Sequence, residues 1–263
     1  MIAYLLLCRV WNALFASAVC AYAFFIVKND YEINYYDVLF LSLGVLFLVA
    51  FANAHNDITD FEIDKINRPK RPLPSGKINV KAAYVLLYAL GFFTMLFSIL
   101  AGLKFAFLFL IAGLLSIAYN RFLKGLPLVG NFTVALLSTT PVVIPIINFG
   151  LPQTELFILV FFAFILNFVR EITKDIEDIE GDKSQNLKTF PMLVGIKHSL
   201  ALVFLCQLQC LFQLAMFRPF LLIGVAPFFA FSAIFAMLKK WWLSQTMLKL
   251  AMLGGLVAFA LAK

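Results

Sequence analysis

Charged residues are scarce in this chain of 263 residues. They make up 13% of the sequence, apolar residues make up 63%, and the mean hydropathy is +0.96. A soluble domain carries about 25% charged residues, so this chain has too little polar surface to cover a water-soluble globule. The composition excludes a soluble enzyme, a secreted disulfide scaffold and a disordered tail, and it indicates a polytopic membrane protein.

Cysteine and histidine are also few. The four cysteines lie in apolar runs and form no CxxC pair, and neither of the two histidines stands near them with metal-ligand spacing. We therefore interpret the cysteines as small packing residues. His55 and His198 are interpreted as structural.

Long apolar runs, in contrast, fill the chain. A membrane-spanning helix needs roughly 20 apolar residues, and nine runs approach that length: 5–27, 38–56, 82–103, 105–119, 126–149, 155–172, 199–217, 219–238 and 241–262. We predict an all-α integral membrane protein with about nine transmembrane helices in one bundle. It would form a single domain over residues 1–263 with two polar cap loops, near 57–81 and 173–198.

Lysine and arginine predict the orientation of the chain. With nine helices, the N-terminus and the loops after every second helix share one side, and that side holds sixteen of the 21 basic residues. An excess of this kind marks the cytoplasmic side of a membrane protein. Both cap loops are therefore expected to face the cytoplasm of a plasma-membrane protein, although a bound anionic ligand would require basic residues in the same place.

Acidic residues are concentrated in two short stretches. Ten of the fourteen Asp and Glu lie there: Asp57, Asp60, Glu62, Asp64, Glu171, Asp175, Glu177, Asp178, Glu180 and Asp182. At 100° per residue, the three aspartates of the first stretch fall within about 60° of one another on a helix, whereas Glu62 points to the opposite side.

The two stretches repeat each other. Asp175, Asp178 and Asp182 each lie 118 residues after an aspartate of the first stretch, and each stretch precedes a basic segment, a proline and a glycine. We interpret this match as an internal duplication, with the second and sixth helices carrying equivalent motifs. The active centre is expected between the halves, since repeat interfaces often hold ligand sites in membrane proteins.

Aspartates on one helical stripe repel each other and persist at the mouth of an apolar bundle only if cations compensate them. Carboxylate oxygens suit Mg²⁺, which prefers to share its coordination shell with substrate phosphate. Two such stripes beside basic loops predict a diphosphate held through Mg²⁺.

These residues resemble a known family. Asn56, Asp57, Asp60 and Asp64 match the NDxxDxxxD motif of the UbiA-type membrane prenyltransferases, and Asp175, Asp178 and Asp182 stand where that family has its second Asp-rich motif. The first cap loop, with NRPKRPLPSG, and the run REITKDIEDIEGD are most similar to the digeranylgeranylglyceryl phosphate synthase branch.

The resemblance implies a Mg²⁺-dependent enzyme. It would transfer a prenyl group, here geranylgeranyl, from an isoprenyl diphosphate to a lipid-like acceptor such as geranylgeranylglyceryl phosphate. The two motifs would be catalytic, and Asn56 and the six aspartates would hold Mg²⁺. The protein would contact membrane lipids and would bind no nucleic acid. The residues that would bind substrate are Asn12, Asn56, Arg68, Arg71, Tyr119, Arg121, Lys124, Asn131, Lys174 and Lys188.

One spacing departs from the family pattern. Members often have a YxxxK element after the fourth helix, but Tyr119 and Lys124 are one residue further apart, with Arg121 between them. Either cation could take the place of the usual lysine.

Two other functions stay open at this stage. One is a prenyltransferase with an aromatic acceptor, as in quinone or tetrapyrrole synthesis. The other is a cation-coupled transporter, because carboxylates on symmetric repeats also mark ion paths. The transporter is less favoured, because the carboxylates lie at one membrane face rather than at mid-depth. The sequence does not predict an oligomeric state.

Overall fold

The structure, a computed structural model, describes residues 1–27, 31–150, 154–183 and 187–261. Within these ranges it is helical and contains no β-strand. The helices are α1 (Ile2–Leu7), α2 (Val10–Ile26), α3 (Tyr35–Thr59), α4 (Phe61–Asn67), α5 (Val80–Ala101), α6 (Leu103–Ala118), α7 (Val129–Phe149), α8 (Thr154–Glu177), α9 (Ile179–Lys183), α10 (Phe190–Phe217), α11 (Leu221–Met237) and α12 (Trp241–Leu261). A π turn, Tyr119–Leu123, follows α6.

Apolar helices dominate the described residues. Seven helical segments are long and apolar enough to cross a membrane, and α2 and α11 are shorter apolar helices. Each of these elements corresponds to one of the nine predicted runs, which confirms the predicted all-α membrane architecture. The chain is a multi-pass membrane protein.

Two predicted boundaries were wrong for local reasons. The first run is split because Arg9 has left-handed backbone (φ 46°, ψ 55°), which ends α1 and begins α2. The run predicted to start at residue 199 begins at Phe190, where Pro191 suits the first helical turn. Gly195, at φ 81°, then kinks this helix instead of ending it.

The chain forms two compact units. One comprises Met1–Leu123 and Thr139–Val160, and the other comprises Lys124–Ser138 and Phe161–Lys263. The single domain expected over residues 1–263 stays a prediction.

In the first unit, α3 packs against α2 and α5. A buried cluster fixes the end of α3: Ala54 and Ile58 lie together with Leu7 of α1 and with Leu73 and Ile78 of the loop after α4. Burial of these side chains stabilises the loop by the transfer of apolar area out of water. The loop is thereby held against the helix that carries the first acidic stretch.

In the second unit, a polar cluster joins α10, α11 and α12. Gln207 Nε2 donates to Ser232 Oγ at 3.5 Å, and Ser244 Oγ donates to the carbonyl oxygen of Ser232 at 3.0 Å. Two glycines bring α11 and α12 into backbone contact, since a Cβ at Gly224 would lie 2.3 Å from the carbonyl oxygen of Gly254. Small residues at such crossings let apolar helices pack closely in a membrane.

We predict that Gly224→Ala and Gly254→Ala destabilise the protein by about 1–3 kcal/mol, because the added methyl group meets backbone that must move. Thermal unfolding in detergent measures the effect. Gly113→Ala is the matched control: Gly113 lies inside α6, and a Cβ there meets no atom within 4 Å. Equal stability of the Gly224 and Gly113 variants would contradict the tight crossing.

Candidate active site

The first motif, Asn56, Asp57, Asp60 and Asp64, lies where a membrane-spanning helix ends. α3 ends one residue before Asp60, which has φ −86° and ψ 8°, and α4 follows. The N–H of Asp60 donates to the carbonyl oxygen of Asn56 at 2.9 Å, and the N–H of Asp64 donates to that of Asp60 at 2.8 Å. These bonds carry the helical pattern across the break, so the aspartates keep the helical spacing that the sequence predicts.

The second motif, Asp175, Asp178 and Asp182, repeats this geometry. α8 ends one residue before Asp178, and α9 follows. The N–H of Asp178 donates to the carbonyl oxygen of Lys174 at 2.9 Å, and the N–H of Asp182 donates to that of Asp178 at 2.9 Å. Each residue stands 118 positions after its counterpart. The helix therefore breaks at the same residue of both motifs, in agreement with the predicted duplication.

The carboxylates of the first motif are buried. Asp57, Asp60 and Asp64 are 4%, 9% and 3% exposed. The amide of Asn56 donates to Asp60 Oδ2 at 2.9 Å. Burial raises the pKa of the Asp64 carboxyl, while the guanidinium of Arg71 beside it acts in the opposite direction.

Two arginines compensate these buried charges. Arg9 Nη2 donates to Asp57 Oδ1 at 2.7 Å, and Arg71 Nη1 donates to the same oxygen at 3.2 Å. Arg71 Nη1 also donates to Asp64 Oδ2. One guanidinium thus bridges two carboxylates of the motif, and a second one binds the first of them. Charge-assisted bonds of this type are stronger than neutral ones.

Backbone geometry places Arg9. Its left-handed conformation is costly for a residue other than glycine, and it occurs where α1 gives way to α2. Arg9 Nη1 also donates to Asn53 Oδ1 at 3.4 Å, while the amide of Asn53 donates to the carbonyl oxygen of Cys8 at 3.3 Å. The guanidinium of Arg9 and the backbone that precedes Arg9 are therefore both hydrogen-bonded to α3.

The loop after α4 places Arg71. Its backbone turns through bonds from the N–H of Arg71 to the carbonyl oxygen of Arg68 (3.0 Å) and from the N–H of Ser75 to that of Arg71 (3.0 Å). The buried Leu73 and Ile78 attach the following segment to the core. Arg71 is predicted as a substrate ligand, and the structure places its guanidinium directly on two aspartates of the first motif.

In the second unit, Asn131 holds the first aspartate of the second motif. Its amide donates to Asp175 Oδ2 at 2.7 Å, and Asn131 itself is buried. Asn131 was predicted as a substrate ligand, and its described partner is this carboxylate. It lies in the first turn of α7, just after Leu128, which has left-handed backbone (φ 60°).

Lys174, which is predicted as a substrate ligand, lies beside the carboxylate of Glu171. Its ammonium is 3.5 Å from Glu171, which also accepts a bond of 2.6 Å from Arg170. Glu171 is buried and occupies the position equivalent to Asn53 in the duplication. The positive charges of Arg170 and Lys174 both lie beside the carboxylate of Glu171, and they offset the free-energy cost of burying its negative charge.

The π turn accounts for the unusual spacing before Lys124. A π turn contains more residues than an α turn, and such turns recur at functional sites. The extra residue between Tyr119 and Lys124 coincides with this turn. Asn120 Nδ2 lies 2.8 Å from His55 Nδ1, so the turn is tied to α3 two residues before Asp57.

The remaining predicted substrate ligands differ in exposure. Asn12, Arg121 and Lys188 are exposed, and Arg68, Tyr119 and Lys124 are half-buried. The side chain of Asn67 and residues 184–186 of the second cap loop lie outside the described residues.

Sequence reasoning missed three contributors. It did not assign Arg9, Asn53 or Asn120 to the site, although Arg9 is a charged residue inside an apolar run. That isolation was the available signal, because a charge in such a run needs a partner.

The donor set suits a hard cation that is shared with a ligand. Carboxylate and amide oxygens are the ligands that Mg²⁺ accepts, usually together with water and phosphate. In the described part of the chain, no group of three or more His, Cys, Asp or Glu side chains is arranged to hold a metal ion. A Mg²⁺ ion on either motif would therefore need oxygen ligands from a substrate and from water.

Comparison with known proteins agrees with this geometry. The UbiA prenyltransferase family matches residues 13–253. A digeranylgeranylglyceryl phosphate synthase from Methanosarcina mazei is 32% identical, over 97% of this chain and 96% of that one. A protein of the same name from Thermococcus sibiricus is 44% identical, but this match covers 59% of the chain and 57% of the relative.

Solved structures share the fold. A structure of digeranylgeranylglyceryl phosphate synthase in membranes has a TM-score of 0.72 at 27% identity, covering 99% of this chain and 97% of that one. A UbiA homologue from Archaeoglobus fulgidus bound to GPP and Mg²⁺ has a TM-score of 0.69 at 19% identity, covering 99% of both chains. The family match spans most of the sequence, and the chain belongs to the UbiA prenyltransferase family.

Proposed function

We propose that the protein transfers a geranylgeranyl group from geranylgeranyl diphosphate to geranylgeranylglyceryl phosphate, forming an ether bond in lipid synthesis. The observation that carries the proposal is the aspartate motif repeated at the broken ends of α3 and α8. The relative from Methanosarcina mazei, which aligns over nearly the whole chain, supports the choice of substrates.

The two motifs would hold Mg²⁺ for one diphosphate. Asn56 with Asp57, Asp60 and Asp64, and Asp175 with Asp178 and Asp182, supply oxygen ligands of the type that Mg²⁺ accepts. When bound, Mg²⁺ supplies positive charge that stabilises the departing diphosphate. The homologue from Archaeoglobus fulgidus that is bound to GPP and Mg²⁺ supports the combination of a prenyl diphosphate with Mg²⁺.

Basic side chains would stabilise the charge that develops on the diphosphate as its bond to C1 of the prenyl chain breaks. The proposed substrate ligands are Asn12, Asn56, Arg68, Arg71, Tyr119, Arg121, Lys124, Asn131, Lys174 and Lys188. After the C1–O bond has broken and diphosphate has left, the acceptor hydroxyl oxygen forms a bond to C1, and its proton passes either to an aspartate of one motif or to the released diphosphate. Apolar surroundings keep water away from the allylic cation, and some of the 31 phenylalanines would contribute cation–π contacts.

We also propose that the active site faces the cytoplasm from the plasma membrane. Sixteen of the 21 lysines and arginines belong to the N-terminus and to the segments after every second predicted helix, as the positive-inside rule requires. A water-soluble, Mg²⁺-bound diphosphate head group would reach the carboxylates from that side.

An assay of purified protein with geranylgeranyl diphosphate and Mg²⁺ tests the proposal. Geranylgeranylglyceryl phosphate, glycerol phosphate and aromatic acceptors are offered together, and mass spectrometry identifies the product. We expect the diether phosphate and no product after chelation of Mg²⁺. A prenylated aromatic product would show that the acceptor is aromatic. Ion counterflow in liposomes without any prenyl transfer would indicate a cation-coupled transporter.

In the same assay, we predict that Asp60→Asn and Asp178→Asn each lower the rate at least about 100-fold, comparable to the loss of a main electrostatic contact in other enzymes. Glu62→Gln and Glu180→Gln are the matched controls, because these exposed carboxylates lie beside the motifs. Folding of each variant is checked by thermal unfolding. Near-normal transfer by either aspartate variant would refute the assignment of its motif.

We predict that Lys124, rather than Arg121, replaces the family lysine, because the π turn takes up the extra residue of the spacing. Lys124→Gln is expected to raise the KM for the prenyl diphosphate more than Arg121→Gln does. Steady-state kinetics on both variants measure this difference. A larger increase in KM for Arg121→Gln would show that Arg121, and not Lys124, takes the place of the family lysine.

A further inference from the structure

The two motifs differ in the group that binds their first aspartate. Asp57 accepts hydrogen bonds from the guanidinium groups of Arg9 (2.7 Å) and Arg71 (3.2 Å). Asp175, its counterpart, accepts a bond from the neutral amide of Asn131 at 2.7 Å. Two guanidinium groups therefore bind the first aspartate of the first motif directly, whereas a neutral amide binds its counterpart and the nearest described cation, Lys174, is its neighbour in sequence.

A guanidinium and a metal ion compete for the same carboxylate. Both arginines use Oδ1 of Asp57, and Arg71 also binds Asp64 Oδ2. A divalent cation that approached alone would meet their positive charge in a buried environment, where charge repulsion is poorly screened. A diphosphate that arrived with the metal would supply compensating negative charge.

We propose that Arg9 and Arg71 keep the first motif in a cation-paired resting state, which accepts Mg²⁺ only together with a diphosphate. Arg71 then exchanges its carboxylate partners for diphosphate oxygens, which guanidinium groups bind equally well. The inference rests on the proposed function, because that function supplies the diphosphate.

The two arginines would have different tasks. Arg9 is fixed at a helix start, and it is linked to Asn53 at 3.4 Å while Asn53 binds the carbonyl oxygen of Cys8 at 3.3 Å. It is therefore a positioning residue, which stays on Asp57 throughout. Arg71 follows α4 in a non-helical loop, where a side-chain rearrangement does not require a helix to move.

Thermal unfolding in detergent detects the binding of Mg²⁺ alone and tests the resting state without any turnover. The wild-type protein is titrated with Mg²⁺ and then with Mg²⁺ plus methylene diphosphonate. We expect binding of Mg²⁺ at the first motif to raise the midpoint temperature of unfolding only when methylene diphosphonate is also present. A ligand at 100 times its Kd raises the folded-to-unfolded ratio about 100-fold, which this method detects.

Arg71→Gln is expected to gain a response to Mg²⁺ alone, because Asp57 and Asp64 lose a competing cation. The gain must disappear in the double variant Arg71→Gln with Asp57→Asn, which separates the first motif from the second. Lys65→Gln is the charge-matched control: Lys65 forms an exposed ion pair with Glu62 at 2.7 Å and contacts no motif aspartate. If Arg71→Gln does not fold, Arg71→Lys serves, since an ammonium bridges two carboxylates less well.

Equal responses of wild-type and Arg71→Gln protein to Mg²⁺ alone would overturn the inference and leave the proposed function intact. A gain in Arg71→Gln that survives Asp57→Asn would also overturn it. Failure of the proposed function would give a different result. The wild-type protein would then respond to Mg²⁺ plus methylene diphosphonate as expected but would transfer no prenyl group.

Discussion

Carboxylates buried at the end of an apolar helix must be compensated by positive charge, and this requirement organises the site. Asp57 and Asp64 are almost fully buried, yet they stand where α3 gives way to α4. Removing one partner of such a buried pair leaves an uncompensated charge and is strongly destabilising. The chain meets the requirement in the first motif with Arg9 and Arg71. The left-handed backbone at Arg9 and the core-anchored loop thus hold the two guanidinium groups at the carboxylates.

The duplication explains how one local design serves twice. In both motifs the long helix ends one residue before the middle aspartate, at Asp60 and at Asp178, and the backbone hydrogen bonds on either side are the same. The short helix that follows extends the row of carboxylates past the end of the long one. What differs is the direct partner of the first aspartate, because the guanidinium groups of Arg9 and Arg71 bind Asp57 whereas the neutral amide of Asn131 binds Asp175. The halves therefore share backbone geometry and differ in these contacts.

Periodicity and spacing were sufficient to predict the membrane helices, both motifs and the basic loops. The break at Arg9 was not predictable, since nothing in an apolar run indicates a left-handed arginine. Asn120 was missed because the π turn that carries it is a backbone adjustment, visible in sequence only as one extra residue before Lys124. The partner of Asn131 was missed for another reason: helical phase identifies residues on one face, but it does not identify contacts between helices distant in sequence.

The proposed function requires that both motifs act on one diphosphate through Mg²⁺. Equilibrium binding of a non-reactive geranylgeranyl thiodiphosphate, with Mg²⁺, to the wild-type protein, the variants Asp57→Asn and Asp175→Asn and their double variant measures the coupling between them. We predict weakened binding in both single variants and a coupling energy of about 1 kcal/mol or more, within the range for residues that act on a shared partner. Additive losses, or unchanged affinity in either single variant, would show that the two motifs do not share one diphosphate.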